Sequence, residues 1–184
     1  GTDLLVVGAR GAGGFRSLLL GSVSEQCLHH TTGPLAIVPA GSPANEAAGR
    51  VVVGVDGSDS SGRALRWALA EARLRHARVD VVHAWQPPYI VPAPYAAMAL
   101  DPEPVEKAAR ELLDRLVDAE ELGRQPAPVE RIAVRGTAAR AVLDTAQGAD
   151  LVVLGSRGLG GFAGLILGSV THHVAHHASC PLVV

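Results

Sequence analysis

Cysteine is scarce, with Cys27 and Cys180 the two in 184 residues. They form no CxxC pair and fall far short of the density of a disulfide-stapled secreted domain. A reduced cytosolic setting is the expectation. Lysine is scarcer still, with Lys107 alone. A Walker A loop needs a lysine to reach the outer phosphates of its nucleotide, and Lys107 falls on a predicted helix far from any glycine cluster. That route to phosphate binding is excluded. Long hydrophobic runs are lacking too. None reaches the roughly 20 residues needed to cross a bilayer as a helix, and the N-terminus has neither the charged start nor the apolar stretch of a signal peptide. No membrane association is expected. The formal net charge is −2, and the basic residues are scattered along the chain, which argues against a nucleic-acid surface. What is present is a chain with 48% apolar residues, enough to bury a core.

The chain repeats itself. Residues 3–37 align without a gap on residues 150–184, and about half of the aligned positions are identical. A spacing near a whole domain length implies tandem domains rather than a solenoid. The expected organisation is the C-terminal part of a first domain at 1–40, a linker of small and polar residues at 41–49, and a complete domain at 50–184. No methionine opens the chain, and Pro181–Val184 reads as a strand barely begun. A piece of a longer protein is therefore expected.

From Arg50 onward, short β-branched runs alternate with helical periodicity. Val51–Val55 predicts a strand buried on both faces and ending at Asp56. Leu65, Ala68, Leu69 and Ala72 predict the helix after it, with cap candidates at Ser58, Asp59, Ser60 and Ser61. Further strands are expected at Val79–Trp85, Val129–Val134, Leu151–Leu154 and from Leu182. Further helices are expected over Val105–Val117, over Thr137–Gln147 and from Gly168. The proline-crowded stretch Gln86–Pro104 reads as a long loop. Five strands interleaved with four helices predict a doubly wound α/β fold with a parallel sheet.

Glycine is concentrated where a strand meets a helix. Gly155, Gly158, Gly160, Gly161, Gly164 and Gly168 crowd one short span. Without Cβ atoms the backbone there can take positive φ and approach a ligand, and successive N–H groups can form an anion-binding concavity. Ser169 stands at the start of the next helix, where unpaired amides favour phosphate. Arg157 projects from the same loop and can pair with phosphate or stack on a base. These glycines also have a plainer reading, as a tight turn with close packing. Against that, Gly8, Gly11, Gly13, Gly14, Gly21 and Ser22 repeat the spacing in the other copy. The first strand-to-helix turn, GVDGSDSSG, lacks GxGxxG, so a dinucleotide site of the Rossmann type is not expected.

Gly155-x-x-Gly158, nine residues, then Gly168-Ser169 resembles the ATP-binding signature of the universal stress protein family, and Gly8-x-x-Gly11 with Gly21-Ser22 matches it equally. VVVGVDGS at Val51–Ser58, the HAW ending of the second strand and the CPLVV ending add to the resemblance. It implies a five-stranded parallel sheet in the order 3-2-1-4-5, of the adenine nucleotide alpha hydrolase-like kind, with the ligand at the switch point between strands one and four. Carried over by motif, Gly54, Val55 and Asp56 would border adenine and ribose, and the Asp56 carboxylate would accept from a ribose hydroxyl. Ala84 would meet the adenine edge through its backbone. Leu154, Gly155, Arg157, Gly158, Gly168, Ser169 and Val170 would hold ribose and phosphates. Asp56 has an alternative reading as a turn-forming or capping carboxylate. Gly8, Arg10, Gly11, Gly21 and Ser22 form a partial second site that lacks an Asp56 strand and cannot bind adenine alone.

The implied function is that of an ATP-binding, nucleotide-responsive stress module, with ATP, alone or with magnesium, as the ligand. The alternatives are a slow ATP hydrolase, for which no base is evident, and a nucleotide-free dimerisation module. No catalytic residue is expected. The resemblance implies a homodimer or pseudo-dimer through the final strands, with Leu35–Val38 against Leu182–Val184 of the same or another chain. A lone strand-helix-strand unit leaves apolar surface bare, which predicts association or disorder. His172, His173, His176 and His177 lie at i, i+4 on one helix, a metal-compatible spacing. No carboxylate or cysteine accompanies them in sequence, so no metal is expected.

Overall fold

Period-two alternation of valines sends neighbouring side chains to opposite faces of one sheet. In the first strand of the C-terminal part, Val51 and Val53 join one hydrophobic cluster and Val52 the other, and all three are fully buried. The structure is a computed structural model that describes residues 4–10, 20–41, 49–87, 101–121, 127–160 and 167–184. Its strands are β1 (Leu5–Gly8), β2 (Leu35–Val38), β3 (Arg50–Gly54), β4 (Arg78–Trp85), β5 (Val129–Arg135), β6 (Leu151–Val153) and β7 (Leu182–Val183). The helices are α1 (Ser22–His30), α2 (Asp59–Arg75), α3 (Glu103–Glu121), α4 (Ala138–Thr145) and α5 (Ser169–His177). None of these helices is long and apolar enough to cross a membrane. The two tyrosines and most of the expected loop before α3 lie outside the described residues, as do Gly11, Gly13, Gly14, Gly161 and Gly164.

The strands form one sheet in the order β1-β2-β7-β6-β3-β4-β5. Its C-terminal five, read β5-β4-β3-β6-β7, are the expected 3-2-1-4-5 arrangement, and every neighbour among them is parallel. The sheet has seven strands rather than five because β2 pairs antiparallel with β7 and carries β1 beside it. Ala36 stands opposite Val183, and these two are equivalent positions of the internal repeat. The N–H of Leu35 donates to the Val184 carbonyl at 3.0 Å, and that of Val184 donates back at 2.9 Å. A local twofold axis thus passes through the β2–β7 pair. α2 and α3 pack on one face of the sheet, while residues of α1, α4 and α5 share the cluster on the other.

The helix ends follow local chemistry. Ser58 caps α2 by accepting the Ser61 N–H on its hydroxyl at 3.1 Å, satisfying one orphan amide. α2 stops at His76, which takes a left-handed conformation with φ of 54°. At the edge of the sheet away from the glycine loops, Arg50 reaches the buried Asp80 carboxylate at 3.1 Å and the carbonyls of Thr145 and Gln147. This ties β3, β4 and the end of α4 together.

Candidate functional site

Parallel strands place their carboxyl ends on one side, and the ends of β3 and β6 lie side by side where chain direction around the sheet reverses. A cavity of about 360 Å³ opens there, within the size range of small-molecule sites. Its wall contains Gly54, Val55, Asp56, Ala84, Leu154, Gly155, Arg157, Gly158, Gly168, Ser169 and Val170. Every residue of the expected main site therefore faces one space. The wall also contains Ser61, Val82, Ala138, Val142, Gly160 and Thr171, which were not in the motif-based set. Ala138 and Val142 stand at i, i+4 on α4, whose packing over the strand ends is a tertiary fact that no local motif carries. Thr171 had a signal available: it aligns with Ser24 in the repeat, and its hydroxyl donates to the Gly155 carbonyl at 2.7 Å. Val134, Arg135 and Gly136 lie away from this cavity, lining a different depression with Thr137 and Arg140.

Asp56 organises the entrance. Oδ1 accepts the Ser58 N–H at 3.0 Å, and Oδ2 accepts the Leu159 N–H at 2.8 Å. The turn-forming and loop-contacting roles of Asp56 thus coexist in one carboxylate. Burial alone would raise its pKa, but hydrogen bonds from Ser58, from the Leu159 amide and from Ser61 together hold it below the ordinary value. Val55 is engaged elsewhere, since its carbonyl lies 2.8 Å from Nδ1 of His83. That contact holds β3 against β4 next to Ala84.

Of the two readings of the glycines, the described ones show the close packing and not the positive φ. None of Gly155, Gly158, Gly160 and Gly168 has positive φ. Instead, a Cβ on Gly155 would lie 2.7 Å from the Ser60 carbonyl carbon, and one on Gly158 would lie 2.3 Å from Asp56 Oδ2. Close approach of the loop to the first strand-to-helix turn, not left-handed backbone, requires glycine here. The loop is closed by the Gly168 N–H donating to the Ser156 carbonyl at 2.8 Å. α5 begins next, with no side-chain cap on its first turn. Gly168, Ser169, Val170 and Thr171 at its start line the cavity, and among the described residues no side chain caps the first-turn amides.

The N-terminal copy repeats this loop closure. The Gly21 N–H donates to the Ala9 carbonyl at 2.7 Å, and Ser24 Oγ donates to the same carbonyl at 3.0 Å. Gly8, Arg10, Gly21 and Ser22 lie at the end of β1 and the start of α1, and they line none of the three cavities found among the described residues. Gly11 lies outside the described residues.

Residues 1–39 and 48–184 match the model of the Universal stress protein family. Universal stress protein Rv1996 of Mycobacterium tuberculosis is 37% identical over 191 aligned residues, which cover 98% of this chain and 58% of that relative. The chain thus spans less than two thirds of the length of this curated relative. A universal stress protein crystal structure from Archaeoglobus fulgidus superposes with a TM-score of 0.66 at 27% identity, covering 99% of this chain and 60% of that one. A universal stress protein crystallised in complex with cAMP superposes with a TM-score of 0.55 at 29% identity, covering 72% of this chain and 93% of that one.

Proposed function

The chain belongs to the universal stress protein family, and from that premise we propose that its cavity at the β3–β6 switch point binds ATP and reports nucleotide occupancy to a stress-response partner. The observation that carries this reading is that the Asp56 carboxylate and the start of α5, uncapped among the described residues, line one cavity. A carboxylate suits ribose hydroxyls, whereas uncapped amides and a helix N-terminus suit phosphate. Val82, Val142 and Leu154 offer the apolar wall that a base requires. Arg157 supplies positive charge next to the phosphate end, and magnesium bound with the triphosphate would supply more. The relative crystallised with cAMP supports an adenine nucleotide as the ligand class.

Binding rather than hydrolysis is favoured by the titratable groups of the wall. Among the described residues these are Asp56 and Arg157. An arginine does not accept a proton, and a carboxylate whose pKa is depressed is a weak base at neutral pH. The domain reading follows the same premise: 1–40 is the C-terminal part of a first domain, 41–49 a linker and 50–184 a complete domain. The β2–β7 pair is then the pseudo-dimer contact, and a cytoplasmic location fits the same family role.

Calorimetric titration with ATP and with cAMP tests the ligand. The wild type should bind ATP, and Asp56→Ala should weaken binding by about 1.5–3 kcal/mol, about ten- to a hundredfold in Kd, for a lost charge-assisted hydrogen bond. Gly158→Ala should also weaken it, because the new methyl would displace Asp56. No heat with either nucleotide, or equal binding by all three proteins, removes the proposal. Binding of cAMP with no response to ATP would redirect it to the cyclic nucleotide.

A further inference from the structure

We propose that Glu25, His172 and His176 form a binding site for one divalent transition-metal ion of the zinc class, built across the local twofold axis between α1 and α5. The ligand atoms of these three side chains all lie within 4.8 Å of one another. Sequence spacing alone offered histidines without a carboxylate. The fold delivers the carboxylate from the other copy of the repeat.

The separations leave room for a shared cation. Nε2 of His172 lies 3.3 Å from Glu25 Oε1, and Nε2 of His176 lies 3.4 Å from Oε2. Charge-assisted N–H···O bonds close to about 2.7–2.9 Å. Ligands about 2.0–2.1 Å from a tetrahedral ion stand about 3.3–3.4 Å apart, and each imidazole nitrogen lies at that separation from one oxygen of the Glu25 carboxylate. Nε2 of His176 is moreover buried and makes no hydrogen bond among the described residues. A buried ring nitrogen without a hydrogen bond costs free energy that a metal bond would recover. Two imidazoles and one carboxylate favour zinc, and also iron, cobalt or nickel, over magnesium or calcium.

The twofold arrangement explains how the set arose from repeated sequence. Glu25 aligns with His172, and His29 aligns with His176. The axis therefore gathers four equivalent positions, three histidines and one glutamate. His29 holds the carboxylate from α1 itself, its Nε2 3.2 Å from Glu25 Oε1, and so helps to orient it. His173 and His177, the other i, i+4 pair of α5, stack on each other with ring centroids 4.3 Å apart. Among the described residues neither pairs with a carboxylate. Three protein ligands leave a fourth position for water or an added ligand. None of the three lines the nucleotide cavity, so the metal site and the nucleotide site can fail independently.

Titration of the metal-stripped chain with Co²⁺, followed by visible absorption, and with Zn²⁺, followed by calorimetry, tests the site without any nucleotide. The wild type should take one ion per chain with the intense visible bands of tetrahedral cobalt. Glu25→Gln, His172→Ala and His176→Ala should each lose those bands. The His173→Ala/His177→Ala double variant and the cavity variant Gly158→Ala should keep them. His29→Ala should weaken binding by about ten- to a hundredfold while leaving the spectrum in place. Absence of binding by the wild type overturns the proposal and leaves Glu25 as an acceptor for protonated imidazoles. Binding that survives Glu25→Gln, or that is lost in the His173/His177 variant, overturns it equally.

Discussion

The two copies of the repeat share sequence and local geometry yet occupy opposite situations in the sheet. β6 lies between β3 and β7, with Leu151, Val152 and Val153 buried on both faces. Among the described residues β1 lies at the edge, paired with β2 alone; its Val6 is 58% exposed and Leu4 just before it 38%. Leu5 and Val7 still pack against the cluster shared with α4 and α5, so the exposed face is the one where α2 covers β6 and no described helix covers β1. Both loops nevertheless close in the same way, with Gly21 donating to Ala9 and Gly168 donating to Ser156. Loop closure is therefore written in the repeat itself, whereas burial comes from neighbours. A cavity needs those neighbours, and the C-terminal copy has them.

The largest expected effect comes from placing one charge at equivalent strand positions. Val153 is 1% exposed, and its repeat partner Val6 is 58% exposed. Val153→Asp should cost about 3–5 kcal/mol, or prevent folding, because it buries an unpaired carboxylate. Val6→Asp should change stability by less than about 0.5 kcal/mol. Urea unfolding of the two variants checks this. Similar losses in both would mean that a partner surface covers β1 in solution.

A smaller effect separates the two loops at their first glycine. A Cβ on Gly155 would meet the Ser60 backbone at 2.7–2.9 Å, with the Ser60 hydroxyl at 2.6 Å, whereas one on Gly8 meets, among the described residues, nothing closer than the Arg10 carbonyl at 3.4 Å. Gly155→Ala should therefore cost about 1–3 kcal/mol through overpacking. Gly8→Ala should be close to neutral. The same unfolding experiment reads both, and equal costs would mean that glycine at this position answers to the loop alone and not to the α2 start beside it.

What the sequence made legible follows the same division. The strand and helix order was readable from periodicity, and starts such as Ser58 from cap chemistry, because those signals are local. The resemblance to a known signature supplied the sheet order and gathered eleven residues that share one cavity wall. Ala138 and Val142 were not readable, since α4 reaches the site only through its packing. The glycines had two readings in the sequence, positive φ toward a ligand and a closely packed turn, and close approach is what the described ones require. The Glu25–His172–His176 group was invisible for a related reason. Its members come from two copies of the repeat and meet only because β2 joins β7.

The smallest expected effect concerns the anchor that the N-terminal loop lacks. Asp56 ties the C-terminal loop to the end of β3 through the Leu159 amide, and no strand equivalent to β3 stands beside β1. Hydrogen bonding outweighs burial and lowers the Asp56 pKa in the folded state. A group whose folded pKa is depressed adds stability above its unfolded value, about 4 for aspartate, and that stability is lost as pH falls through the folded value. Wild type should therefore lose more stability than Asp56→Asn between about pH 5 and about pH 3. Amide exchange should show the same acid step at Leu159 and no counterpart in the loop after β1. Parallel stability profiles for the two proteins would mean that the loop is held by its own closure, as in the N-terminal copy, and that Asp56 is left to the ligand alone.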